Sequence, residues 1–289
     1  KTKSVCLDCD VACLINQRCQ PTDMRTVIVL VVLLVLGLHG WHLQFVNPPT
    51  TPYTSVVISN LLVFLLLWSY IQCCTTDSFI STYLKHGNNP ATPTVGGAVC
   101  PKCRISKTPR SHHCRKCNQC VLKMDHHCPW VGHCVGEKNY KYYVLFLVYT
   151  TLALFDVVVG SFQRMMHPDG WSTAILGFTA IVAVGQIVMG CCVAYLLLWH
   201  VMQCSRNCTT IEWYQNQKNS RQHASKVAKF PWPNTFPKES PYDRGVYLNC
   251  TGVFGRYMLW LVPVVDHSMR GGNESGEHNT NARSSKNIV

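Results

Sequence analysis

Seven cysteines (Cys100, Cys103, Cys114, Cys117, Cys120, Cys128, Cys134) and five histidines (His112, His113, His126, His127, His133) crowd into 35 residues of this chain. Two close pairs, Cys100-x2-Cys103 and Cys114-x2-Cys117, each present two thiolates from one tight turn, with further Cys and His a short loop away. That is what a tetrahedral zinc ion takes. Two closed structural sites need eight ligands. Six cysteines and two histidines fill them, and one of the seven cysteines is left without a metal.

The surplus thiol leaves two readings open: a purely structural zinc module that binds partners, or a reactive cysteine held by metal. A reactive thiol needs a base to take its proton and a group to orient that base. The run Asp125-His126-His127-Cys128 supplies acid, imidazole and thiol. Neighbouring residues cannot all face one another in a helix or strand, so the run is expected in an irregular loop. Ligation by His127 and Cys134 on either side would pin it.

The elements that position this region are apolar. Apolar residues make up 47% of the 289 and charged residues only 14%, an unusual balance for a soluble globule. The excess sits in residues 27–45, 55–74, 142–162 and 174–199, each close to the ~20 residues a helix needs to cross hydrocarbon. The first is too long for a signal peptide. Residues 75–141 hold ten Lys and Arg against three acids, and the tail after Trp199 eleven against six. The positive-inside rule therefore puts both in the cytosol, with both termini. A reducing compartment argues against disulfides. The net charge of +12 follows from topology and an anionic leaflet, with no nucleic acid required.

The chain is thus read as residues 1–25, a cytosolic N-terminal segment; 26–75, transmembrane helices 1 and 2; 76–97, a linker; 98–141, the cysteine-rich domain; 142–200, transmembrane helices 3 and 4; 201–270, a cytosolic C-terminal region; and 271–289, a disordered tail. The lack of an initial Met points to a trimmed or incomplete chain start. Cys6, Cys9, Cys13 and Cys19 are expected to be acylatable or unpaired thiols rather than half a zinc site. A Pro and aromatic cluster occupies 230–237. No internal repeat is evident.

The pattern Cys100-x2-Cys103-x9-His113-Cys114-x2-Cys117-x2-Cys120-x4-Asp125-His126-His127-Cys128-x5-Cys134-x4-Asn139 resembles the cysteine-rich domain of the DHHC family of protein S-acyltransferases, or palmitoyltransferases. The four-span layout is similar too. So are Thr209-Thr210-Ile211-Glu212 (the TTxE motif) and Asn249 to Gly255, ending Val253-Phe254-Gly255. Two departures stand out: Thr76-Asp77-Ser78 replaces Asp-Pro-Gly after the second span, which puts the membrane-exit turn in doubt, and Tyr143 stands where Phe is common.

The resemblance implies an all-α polytopic membrane protein with a cytosolic two-zinc domain of short β-hairpins and loops between helices 2 and 3. It implies two structural zinc ions, one on Cys100, Cys103, His113 and Cys120, the other on Cys114, Cys117, His127 and Cys134. Cys128 would be the nucleophile, His126 the base and Asp125 its orienting acid, with Thr210 near Asp125 and Asn249 in support. The activity implied is two-step transfer of a long-chain acyl group from acyl-CoA to Cys128 and on to cytosolic cysteines of membrane-associated proteins. Membrane lipids would be further partners, and endomembranes, Golgi above all, the location.

Other residues carry alternatives. Pro129 and Trp130 either line the acyl entrance or sit at the interface as amphipathic rings do. Asp156, inside the third span, is expected to make a helix-packing hydrogen bond. Cys73/Cys74 and Cys191/Cys192 read as ordinary small thiols or as acyl acceptors. The sequons at Asn207, Asn249 and Asn273 fall in the cytosol and should carry no sugar.

Overall fold

The computed structural model describes residues 21–46, 52–85, 99–168, 170–223 and 240–264. The expectations for the four N-terminal cysteines, the 230–237 cluster, Asn273 and the tail from 271 lie outside these residues.

Four helices are long and apolar enough to cross a membrane. They are α1 (Pro21–Trp41), which runs into a π-turn (His42–Val46), α2 (Tyr53–Thr75), α4 (Tyr140–Met166) and α5 (Thr173–Ser205). Their outward faces carry exposed apolar side chains such as Leu33, Leu34, Phe64, Phe155, Ile181 and Leu198. Hydrocarbon is the solvent that tolerates this, and helices satisfy their backbone polar groups internally. α4 packs between α2 and α5, around a core of Leu66, Leu145, Tyr149 and Ala153. Asp156 accepts a hydrogen bond from the Ser59 hydroxyl of α2, the packing role expected of it. Gly160 is needed nearby, because a Cβ there would lie 2.7 Å from the His42 ring.

Between α2 and α4 lies a small β unit. Strands β1 (His112–Cys114) and β2 (Gln119–Val121) form one antiparallel hairpin, and β3 (His126–Cys128) and β4 (His133–Val135) another. Asp125-His126-His127-Cys128 therefore ends in a strand, not the irregular loop expected. The hairpin partner supplies the backbone bonds that a loop would have had to find elsewhere.

The hairpins also reveal a repeat that the sequence reading missed. Cys100, Cys114 and Cys128 are equally spaced, as are His113 and His127, and Cys120 and Cys134. The registers match: His113 faces Cys120 as His127 faces Cys134. An isolated bridge between Val99 and Ser106 marks a further hairpin ahead of them. Each turn closes on a left-handed residue, Arg104 (φ 55°), Asn118 (φ 51°) and Gly132 (φ 80°). Only a few positions carry the repeat, so intervening residues hide it. In the third turn Val131, fully buried, stands where the first two have their second cysteine.

The unit is fastened to the membrane helices by buried polar residues. Asp77 accepts from the Phe79 amide at 3.1 Å, making the exit turn without Pro or Gly. A short helix, α3 (Ile80–Lys85), follows inside the stretch read as linker. Asn139, fully buried, accepts from the Gly136 amide at 2.8 Å and donates to the Cys134 and Cys73 carbonyls. His133 reaches the Cys74 carbonyl at 3.0 Å. Gly136 has no room for a side chain, since a Cβ would meet the Leu122 carbonyl oxygen at 2.7 Å. Beyond α5, α6 (Thr210–His223) returns over the β unit, and α7 (Val246–Phe254) with a 3-10 turn (Tyr257–Leu259) packs on α5 and α4.

Candidate functional site

Two sets of Cys and His converge, and either could hold a metal ion: Cys100, Cys103, His113 and Cys120, and Cys114, Cys117, His127 and Cys134. In the first, His113 Nδ1 lies 3.7, 3.2 and 4.0 Å from the Cys100, Cys103 and Cys120 sulfurs. In the second, His127 Nδ1 lies 3.7, 3.3 and 3.8 Å from Cys114, Cys117 and Cys134. The first cysteine of each pair also accepts the amide of the second at 3.4 Å, in both turns alike. His112 and His133 belong to neither set.

Cys128 is the cysteine of the domain left outside them, as ligand counting anticipated. Strand alternation explains its company: in β3 the side chains of His126 and Cys128 share one face, and His127 points to the other, toward its metal set. His126 Nδ1 donates to Asp125 Oδ2 at 2.7 Å, and Cys128 lies on the same face of the strand. Burial by itself would lower the proton affinity of His126. The interactions with Asp125 and Cys128 overcome that and raise its pKa to about 9. Asp125 is fully buried, which opposes its charge, yet the bond from His126, the neighbouring imidazoles and the Thr210 amide hold its carboxyl below the usual range. The Cys128 sulfur itself is buried in an apolar cluster with Tyr70, Val131, Tyr143 and Leu147, at the junction of β unit and spans.

Asp125 is held from the start of α6. Thr210 donates its amide to Oδ1 and its hydroxyl to Oδ2, each at 2.9 Å, where a helix N-terminus favours negative charge. Thr209 and Glu212 form a capping box: the Thr209 amide donates to Glu212 at 2.8 Å and the Glu212 amide to the Thr209 hydroxyl at 3.3 Å. Arg110 grips the same Glu212 with two bonds of 2.6 and 2.7 Å and stacks over Tyr242 at 4.1 Å. The Thr-Thr-x-Glu run is thus a helix start that delivers Thr210 to Asp125.

Asn249 does not touch Asp125, His126 or Cys128. Its amide donates to the Ser205 carbonyl at 2.8 Å and to Asp243 at 2.6 Å, tying α7 to the end of α5. Asn207 is similarly occupied by Arg110, Lys123 and Tyr242, so neither sequon amide is free. Trp130 is 69% exposed, and its carbonyl accepts from the Tyr70 hydroxyl at 2.8 Å.

Two residues near the site, His200 and Tyr140, escaped sequence reading, and Tyr143 was noted there only as a departure from the family pattern. His200 of α5 packs on His126 with ring centroids 5.7 Å apart, and Tyr143 of α4 packs on both, at 5.2 and 5.0 Å. The Tyr140 hydroxyl lies 3.1 Å from His200 Nδ1. A histidine at the end of an apolar span was the available signal, because polar groups there usually serve function.

A family model described as DHHC palmitoyltransferase matches residues 94–217. The chain is 31% identical to a putative ZDHHC-type palmitoyltransferase 2 of Dictyostelium discoideum over 86% of its length, spanning 59% of that relative. It is 30% identical to a probable protein S-acyltransferase 14 of Arabidopsis thaliana, covering 83% of this chain and 84% of the relative. A probable protein S-acyltransferase 12 of Arabidopsis thaliana is 32% identical, with 72% of each chain covered.

Proposed function

The chain belongs to the DHHC palmitoyltransferase family, and from that premise we propose that it carries a long-chain acyl group from acyl-CoA, through Cys128, to cysteines of membrane-associated proteins at the cytosolic face. The observation that carries the reading is His126 bonded to buried Asp125 and sharing a strand face with Cys128, at the mouth of the apolar spans, with Cys128 outside both metal sets.

The donor sets suit zinc. Three sulfurs and one imidazole nitrogen at bond lengths of about 2.3 and 2.0 Å would stand roughly 3.5–3.8 Å apart in a tetrahedron, and the observed separations run from 3.2 to 4.0 Å. Two zinc ions would hold the hairpins closed and leave the chemistry to side chains.

The apolar tail of acyl-CoA would bury between the spans at roughly 0.8 kcal/mol per methylene, with its phosphates at the basic cytosolic side. The Cys128 sulfur gives its proton to His126 and attacks the thioester carbonyl. The carbon–sulfur bond to CoA breaks, and the CoA thiolate takes the proton from His126. A substrate cysteine then gives its proton to His126 as it attacks the acyl-enzyme, and Cys128 is released as a thiol by the return of that proton. Asp125 holds the ring in place and offsets the charge it gains. Both termini would be cytosolic and the membrane an endomembrane, with Golgi favoured by the family resemblance.

The test is to offer purified protein a clickable long-chain acyl-CoA beside Cys128→Ser. Hydroxylamine-sensitive labelling of wild type alone is expected. Labelling that resists hydroxylamine, or equal labelling of Cys128→Ser, would overturn the reading.

A further inference from the structure

His200 comes from the fourth span, far in sequence from the Asp125–His126–Cys128 run, yet its ring packs against that of His126. Three rings are in mutual contact: His126 and Tyr143 edge to face at 5.2 Å, His126 and His200 tilted at 5.7 Å, Tyr143 and His200 edge to face at 5.0 Å. His200 is itself buried, and a nitrogen of its ring lies within 4.8 Å of both the Asp125 carboxylate and a His126 nitrogen. Tyr140, one helical turn before Tyr143, fixes His200 in place through its hydroxyl, 3.1 Å from Nδ1 and 3.4 Å from the His200 carbonyl oxygen.

The hydrogen bond to Asp125 ties Nδ1 of the His126 ring but leaves the ring plane some freedom to tilt through its side-chain torsions. The two flanking rings remove that freedom. They come from α4 and α5, so the aim of the base depends on how these two spans pack.

We propose that His200 is a positioning residue: its ring, with Tyr143, clamps His126 in the orientation that meets Cys128, and Tyr140 holds His200 for that task. This rests on the acyl-transfer reading above. It also extends it, because whatever moves α4 against α5, an acyl chain lying between spans included, would turn the base toward or away from the thiol.

The test measures the rate of Cys128 acylation, the acyl-CoA concentration for half-maximal rate, and metal bound per chain. Removing the ring in His200→Ala is expected to slow acylation at saturating acyl-CoA by roughly ten- to a hundredfold, as small misplacements of reacting groups do, with half-saturation and metal content unchanged. His200→Phe, which restores a ring without nitrogen, should recover most of the rate, and His200→Asn, polar but ringless, should not. Wild-type acylation in His200→Ala, or rescue by Asn equal to that by Phe, would overturn the clamp. Should His200→Ala lose metal and fold, Tyr140→Phe decides: a severalfold slower acylation with metal retained is expected, and an unchanged rate overturns the proposal. Failure of wild type itself to label through Cys128 would instead sink the acyl-transfer reading.

Discussion

Thr210 meets Asp125 across 85 positions of sequence with two donors, its amide on one carboxylate oxygen and its hydroxyl on the other, both at 2.9 Å. The carboxylate is fully buried, so each of these bonds replaces water that cannot reach it. Gln203 of α5 in turn donates to the Thr210 hydroxyl oxygen at 3.0 Å, so the hydroxyl is fixed rather than free to rotate.

Removing that hydroxyl should therefore loosen the aim of His126 while sparing the fold. A hydrogen bond to a charged group is worth about 1.5–3 kcal/mol, so Thr210→Val is expected to slow acylation of Cys128 by roughly tenfold or more, with metal content intact. Thr210→Ser keeps the hydroxyl and should stay within a fewfold of wild type. Stopped-time labelling with acyl-CoA compares the three, and a Val variant as fast as Ser would show that the amide alone suffices.

Glu212 links the C-terminal region to the β unit twice, as the capping box of α6 and as the partner of Arg110. Glu212→Gln leaves the Arg110 guanidinium, only partly exposed, without its charge partner, at a cost of about 1–3 kcal/mol. Lower thermal stability in detergent is expected, and Arg110→Lys should mimic it because an ammonium cannot reproduce the two-pronged grip. Unchanged melting in both variants would remove this pair from the scaffold.

His126 and His127 are adjacent but should fail differently. His127 lies among three cysteines of a metal set, so His127→Ala is expected to lose about one metal ion per chain and much of the fold. His126→Ala should keep both ions and lose acylation by two orders of magnitude or more, the usual scale of a lost general base. Metal analysis of the purified variants separates the two. Equal metal loss in both would mean His126 is structural.

Gly136 tests the packing of the β4–α4 connection against β2 and the residue after it. A Cβ there would overlap the Leu122 carbonyl oxygen and come within 2.9 Å of a Val121 methyl, both buried, so Gly136→Ala is expected to destabilise by about 1–3 kcal/mol. A thermal shift assay reads this directly, and a neutral result would mean that the β4–α4 connection can move aside.

Spacing and count along the chain determined the four spans and two metal sites with one cysteine to spare; the two ligand sets, and Cys128 as the spare thiol, followed from the resemblance to a family. The spans and the site count rest on local properties: the length of an apolar run, the reach of a two-cysteine turn, and the count of ligands that tetrahedral coordination takes. The same local view misjudged Asp125-His126-His127-Cys128 as irregular. Whether three residues form a strand depends on a partner, here β4, and pairing then separated His126 from His127 by simple alternation. Tertiary structure alone decided the rest. It gave Thr210, which the family resemblance had set near Asp125, its two bonds there, joined Arg110 to Glu212, tied Asn249 to the end of α5, and placed His200 beside His126. No periodicity encodes such meetings, because they arise where separate helices pack and buried polar groups must find partners wherever the chain returns.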